Sequence, residues 1–186
     1  MDRDKEEGEE EMIKLIALDL STTSTGFAIF ENEKLRESGT IAPKGDWKER
    51  IEKIYREINE LIYENLTSVK KSEAMIVVEK PLSLQNGDTI IKLAKLHGLI
   101  LSLSFDLNIH LEEIDNQTWK KHIAGAKASK EQTQDFLKRV RGIKTETTDE
   151  ADAIGVGMGW MVEERCRVKM EKYAPVKRVR KSKKVR

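Results

Sequence analysis

Two short apolar runs in this chain each stop on a carboxylate. Residues 12–18 read M-I-K-L-I-A-L and end at Asp19; residues 74–78 read A-M-I-V-V and end at Glu79. Runs of this length fit buried strands rather than helices, which need ten residues or more to cross a core. Each places an acid where an apolar strand meets a turn. The hydroxyl-rich stretch L-S-T-T-S-T (residues 20–25) supplies turn chemistry directly after Asp19.

Gly26 to Phe30 and Leu35 to Ile41 read as second and third strands, which with the first predict an antiparallel meander. Trp47 to Leu66 carries apolar residues at helical spacing (Ile51, Ile54, Tyr55, Ile58, Leu61, Ile62), with Asp46 as N-cap. Asp88 to Phe105 is a longer helix, apolar most of the way round through Ile90, Ile91, Leu93, Leu96, Leu99, Ile100, Leu101 and Leu103. Such a helix needs cover on more than one side, and a second subunit is one source of it. Ile109 to Ile114 reads as another strand. S-K-E-Q at Ser129 and T-T-D-E at Thr147 are capping patterns that open helices to about Val140 and Met170. The predicted order is βββ-α-β-α-β-α-α.

Charge is distributed unevenly. Residues 1–11 hold seven acids and two bases, whereas residues 165–186 hold eleven bases and one acid, so a formal total of +1 hides an acidic head and a basic tail. The division read from this is an acidic, disordered extension over 1–11, a folded domain over 12–170 and a basic tail over 171–186. The single cysteine, Cys166, cannot pair within the chain, which fits a reducing compartment. With no apolar run near membrane-span length, the expectation is a soluble protein of the cytoplasm.

The chemistry concentrates in carboxylates. If the first and fourth strands are neighbours, Asp19 and Glu79 lie side by side. Asp149 and Asp152 sit three apart in the first turn of the last helix and share a face. Gathering four acids is costly: a like-charge pair at 4 Å repels by about 4 kcal/mol at an effective dielectric of 20. A divalent cation offsets that cost, and an all-oxygen ligand set suits Mg²⁺ or Mn²⁺ rather than zinc. Two such ions about 4 Å apart serve phosphodiester hydrolysis. Taken singly, each acid has a structural reading, because a strand-end Asp is a common turn residue and an Asp in a first helical turn is favoured by the dipole. The four together carry the metal-site reading.

The segment D-L-S-T-T-S-T-G-F-A (Asp19 to Ala28) resembles the first motif of RuvC-like Holliday junction resolvases, in the RNase H-like superfamily. I-V-V-E ending at Glu79 resembles the second, and D-E-A-D-A from Asp149 resembles the closing D-x-x-D-A. A-K-A-S-K-E-Q (Ala126 to Gln132) resembles the stretch bearing an active-site lysine, matched by Lys130, with Lys127 as the alternative. The resemblance implies an RNase H-like α/β fold with a five-stranded mixed sheet flanked by helices. It implies a homodimer acting on branched DNA, with Asp19, Glu79, Asp149 and Asp152 as ligands for two Mg²⁺ or Mn²⁺ ions. Lys130 would stabilise charge on the phosphate; its other reading is an exposed first-turn lysine. Leu20-Ser21 replaces the Pro-Gly usual after the first Asp, and Leu82 stands where bacterial members place an aromatic. The resemblance is therefore to a divergent phage or viral member.

Two other functions compete. Asp19 to Ile29 also resembles the phosphate-binding turn of sugar kinases and actin-like ATPases, but those enclose ATP between two domains and this chain has room for one. A non-catalytic junction-binding protein is the third reading, opposed by four intact acids. D-E-A-D without a phosphate loop excludes a helicase. His97, His110 and His122 lack metal-ligand spacing. Trp119 and Trp160 read as core, and Gly155, Gly157 and Gly159 as close packing of helix on sheet. Lys120, Lys121 and Lys127 are candidate backbone contacts, as is the basic tail.

Overall fold

The computed structural model describes residues 13–81 and 87–173. Strands β1 (Lys14–Asp19), β2 (Thr25–Glu31) and β3 (Lys34–Ile41) lead into helix α1 (Trp47–Leu66), then β4 (Ala74–Glu79), α2 (Gly87–Leu107), β5 (His110–Ile114), α3 (Asn116–His122), α4 (Lys130–Arg141) and α5 (Thr148–Tyr173). One five-stranded sheet results, in the order β3-β2-β1-β4-β5. The first three strands form the predicted antiparallel meander, and β4 and β5 add parallel to β1. The β2–β3 hairpin closes through Asn32 and Glu33, both at positive φ, which suits the right-handed twist of the strands.

Alternation along the strands builds two cores. Ile16, Leu18, Ile29, Ile76 and Val78 face α1 and α2, while Leu15, Ala17, Ala28, Phe30 and Val77 face α3, α4 and α5. Helix α1 starts on the Asp46 cap, reciprocated by Glu49, and buries Ile51, Ile54, Ile58, Ile62 and Leu66 in one stripe. Each fully buried isoleucine contributes about 1.5–3 kcal/mol by leaving water. Helix α2 buries Leu96, Ile100 and Leu103. Ile91, Leu101 and Phe105 stay exposed on its outer face among the described residues.

Two readings need correction. Residues 116–122 form a helix where the sequence order had none, because seven residues starting N-Q-T-W carry no repeating apolar stripe and show only an Asp115 cap signal. The alternating glycines do not all meet the sheet. A Cβ at Gly157 would strike the Phe30 ring and reach 3.0 Å from Ala17, but at Gly155 and Gly159 it would come within 2.5 and 2.6 Å of Trp119 on α3. Helix α5 is therefore seated between sheet and α3. The acidic head, the segment with Leu82 and most of the basic tail lie outside the described residues. Among the described residues, no helix is long and apolar enough to cross a membrane.

Candidate active site

Parallel pairing of β1 with β4 runs to Leu18 opposite Val78, so the next residues, Asp19 and Glu79, end the two central strands together at one end of the sheet. Between β1 and β2 the hydroxyl turn closes on itself. Thr25 Oγ1 donates to the Ser21 carbonyl at 2.8 Å and accepts from the Ser21 N–H at 3.1 Å. Arg50 ties the same turn to α1 by donating to the Thr22 carbonyl at 2.9 Å. Leu20, in the place of the usual proline, is buried in the α1/α2 core.

Helix α5 approaches this end over Gly26. A Cβ there would collide with the Asp149 backbone, so only glycine lets the helix start so close to β2. The first turn of α5 then presents Asp149 and Asp152. Thr147 receives the Glu150 N–H at 3.0 Å, half of the predicted capping box. Ser129 and Gln132 cap α4 reciprocally, which fixes Lys130 as its first residue.

These elements converge on the Lys130 ammonium. Its Nζ lies 2.7 Å from Asp149 Oδ1, 3.3 Å from Asp19 Oδ2 and 3.4 Å from Asp152 Oδ2. Ser24 donates to the other Asp149 oxygen at 2.6 Å. Glu79 stands on the far side, accepting from Asn116 Nδ2 and Trp119 Nε1, both at 2.8 Å. Lys127 lines a separate groove beside α4, so of the two candidate lysines Lys130 is the one in the site. Lys120 is buried in the same cleft, whereas Lys121 turns away to Glu163 at 3.2 Å. The cleft, of about 400 Å³, is open to solvent and also touches Thr89, Leu93 and His97 of α2.

One ammonium cannot neutralise this many acids. Burial, reinforced by Asp19, pushes Asp152 up to about 6. Burial also raises Asp19 against the pull of Lys130, and raises Glu79 with help from Asp19. Asp149 goes the other way: burial pushes it up, but its bonds to Lys130 and Ser24 outweigh that and hold it below the usual range. Lys130 itself is lowered by burial and raised more strongly by Asp19, Asp149 and Asp152, so it stays charged.

The donors suit a hard cation. All are carboxylate oxygens, and Asp152 Oδ1 is buried without a hydrogen-bond partner, a costly state that a cation would relieve. Among the described residues no three acids already close into a coordination set. The Lys130 ammonium sits between Asp19, Asp149 and Asp152 and takes the place of a counter-ion there.

Four residues of the site escaped the sequence reading of the active-site set: Ser24, Asn116, Trp119 and His97. Asn116 and Trp119 were detectable only as a pair three apart directly after a strand, a weak signal. His97 is half-buried, lowered by burial, and lines the cleft. His110 and His122 engage Glu112 and Glu163 away from it.

A family model for crossover junction endodeoxyribonuclease RuvC matches residues 15–159. The chain belongs to the RuvC family. RuvC proteins are metal-dependent nucleases, as the acid cluster anticipates. RuvC of Chloroherpeton thalassium is 26% identical over 142 residues, covering 75% of this chain and 71% of the relative. RuvC of Chlorobium phaeobacteroides is 29% identical over 113 residues, covering 59% and 57%. The structure of Thermus thermophilus RuvC in complex with a Holliday junction substrate superposes with a TM-score of 0.68 at 16% identity, over 83% of this chain and 96% of that one. The RNase H-like sheet with helices on both faces is thus the RuvC fold. Neither the nucleotide-binding reading nor the non-catalytic one is favoured.

Proposed function

We propose that this RuvC protein is a structure-selective endodeoxyribonuclease that resolves four-way DNA junctions, acting on DNA in the cytoplasm. The observation that carries the reading is the placement of Asp19, Asp149 and Asp152 around Lys130, with Glu79 lining the same open cleft at the C-terminal ends of β1 and β4. The four acids are the ligands for Mg²⁺ or Mn²⁺, two ions per site. When bound, such ions activate water for attack on a phosphodiester and stabilise the leaving oxygen. The cleft exposes nearly half of the Lys130 side chain, enough for its ammonium to meet an incoming phosphate oxygen while still paired to Asp149. Ser24 holds Asp149, and the α3 donors hold Glu79, so these acids have orienting partners besides the lysine.

Resolution requires paired nicks, and we assign the second active site to a second copy. Ile91, Leu101 and Phe105, with Ala94 and Gly98 between them, lie exposed along one face of α2, beside the Thr89, Leu93 and His97 positions that border the cleft. An apolar stripe of this kind is suited to self-association.

The test is a labelled immobile four-way junction against linear duplex, with Mg²⁺, Mn²⁺ or EDTA, and Asp149→Asn alongside. Symmetric nicks confined to the junction and lost with EDTA or the variant support the proposal. Tight junction binding without cutting in any metal overturns the catalytic part.

A further inference from the structure

Glu79 is the one acid of the site that does not touch Lys130. Both its oxygens are taken by neutral donors from a single helix: Asn116 Nδ2 to Oε1 and Trp119 Nε1 to Oε2, each at 2.8 Å. Asn116 and Trp119 are three residues apart and share one face of α3. Two donors on two oxygens fix the plane of the carboxylate and leave the second lone pair of each oxygen free.

Trp119 is not merely near the site. It is wholly buried, and its position is fixed by α5, where Gly155 and Gly159 leave room for the indole and its backbone. The same helix carries Asp149 and Asp152 three to ten residues earlier. One side chain therefore spans from the acid at the end of β4 to the helix that presents the other two. Trp160 provides an internal contrast: it is also buried and also donates its indole N–H to an acid at 2.8 Å, but that acid is Glu112, outside the cleft.

We propose that Trp119, seconded by Asn116, is a positioning residue of the metal site, fixing Glu79 in register with Asp149 and Asp152 through α3. The proposal rests on the metal-nuclease reading above. Groups that orient a ligand from behind commonly carry 10–100-fold in metal affinity or activity when removed.

The experiment is Mn²⁺ titration of the full chain without DNA, followed by calorimetry or by the loss of the free-ion paramagnetic resonance signal. Trp119→Phe keeps an aromatic side chain but deletes the donor and part of the indole's volume; Trp160→Phe makes the same change outside the cleft; Asn116→Ala removes the second donor without touching the buried indole. Wild type and Glu79→Gln establish whether the ion binds at this site at all. We expect Trp119→Phe to lose some stability as any buried large-to-small change does and to weaken Mn²⁺ binding by about 10-fold or more, Asn116→Ala to weaken it in the same direction, and Trp160→Phe, which removes the same volume from another buried indole, to leave it as in wild type. In cleavage assays the Mg²⁺ concentration for half-maximal rate rises while junction affinity in EDTA is unchanged. Wild-type Mn²⁺ affinity in both Trp119→Phe and Asn116→Ala overturns the proposal. Equal weakening in Trp119→Phe and Trp160→Phe overturns it too, since that is a core effect. Failure of the wild type itself to bind Mn²⁺ instead refutes the metal site on which it stands.

Discussion

The Lys130 ammonium and the Asp149 carboxylate, 19 residues apart in sequence, meet at 2.7 Å at the centre of the acid cluster. The contact joins the first residue of α4 to the first turn of α5 and leaves the lysine within 3.4 Å of Asp19 and Asp152 as well. A lysine there has two consequences: it compensates acids in the metal-free protein, and it places a positive charge where a phosphate enters.

Lys130→Met separates those roles. Leaving the acids uncompensated should lower the metal-free melting temperature at pH 7, and adding Mg²⁺ should recover much of the loss. Single-turnover junction cleavage at saturating metal should still fall by about 10²-fold, the scale for removing one preorganised charge from a transition state. Unchanged cleavage would return Lys130 to an exposed helix residue.

Asp152 makes the site pH-sensitive. Its folded pKa of about 6 lies above the unfolded value near 3.9. The ionised form is thus disfavoured in the folded state, so the metal-free protein bears the full penalty above pH 6 and is relieved of it as pH falls toward 4. Asp152→Asn should therefore stabilise the metal-free protein at pH 8 by about 1–3 kcal/mol, with the gain shrinking as pH drops through 6. The same change should abolish cleavage. Chemical denaturation at pH 5 and pH 8 checks the first, and a junction assay the second. In wild type, the metal concentration needed for cleavage should rise as pH falls through about 6, because the cation must then displace the Asp152 proton.

Metal binding should appear as stability. A cation that binds only the folded acids adds about 2.7 kcal/mol at 100 times its dissociation constant. Thermal melts of wild type should shift upward with Mg²⁺ or Mn²⁺ and fall back with EDTA. Asp19→Asn and Asp152→Asn should flatten that response. A shift that survives both substitutions would place the ion elsewhere.

The close start of α5 over β2 should not tolerate a side chain. Gly26→Ala sets a methyl against the Asp149 backbone and moves the first turn of α5. Overpacking of this kind costs about 1–3 kcal/mol. Gly157→Ala meets Phe30 and Ala17 farther along the helix. Both should destabilise to similar degrees in urea titrations, but Gly26→Ala should lose far more cleavage, since it displaces Asp149 directly.

Self-association should depend on α2. Leu101→Glu with Phe105→Glu adds charge to the exposed face without touching Leu96, Ile100 or Leu103 in the core. Sedimentation should show a dimer becoming a monomer of unchanged fold, and junction cutting should change from paired to single nicks. A double variant that stays dimeric places the interface on another surface.

Much of this protein is legible in one dimension. Short apolar runs and capping residues determine the strands, α1, α4 and α5, because period and caps are local properties. The acids at strand ends and at a helix start belong to elements whose ends are legible, so Asp19, Glu79, Asp149 and Asp152 could be named before any fold was known. The apolar girth of α2 was equally legible in the sequence. Tertiary structure decided the rest. Parallel pairing of β1 with β4 made neighbours of Asp19 and Glu79, and the capped start of α4 chose Lys130 over Lys127. Only packing showed that Gly155 and Gly159 make room for Trp119, and that its indole reaches Glu79. A hydrogen bond between residues 40 apart leaves no periodic trace in sequence, because it depends on where two elements dock and not on what either is made of.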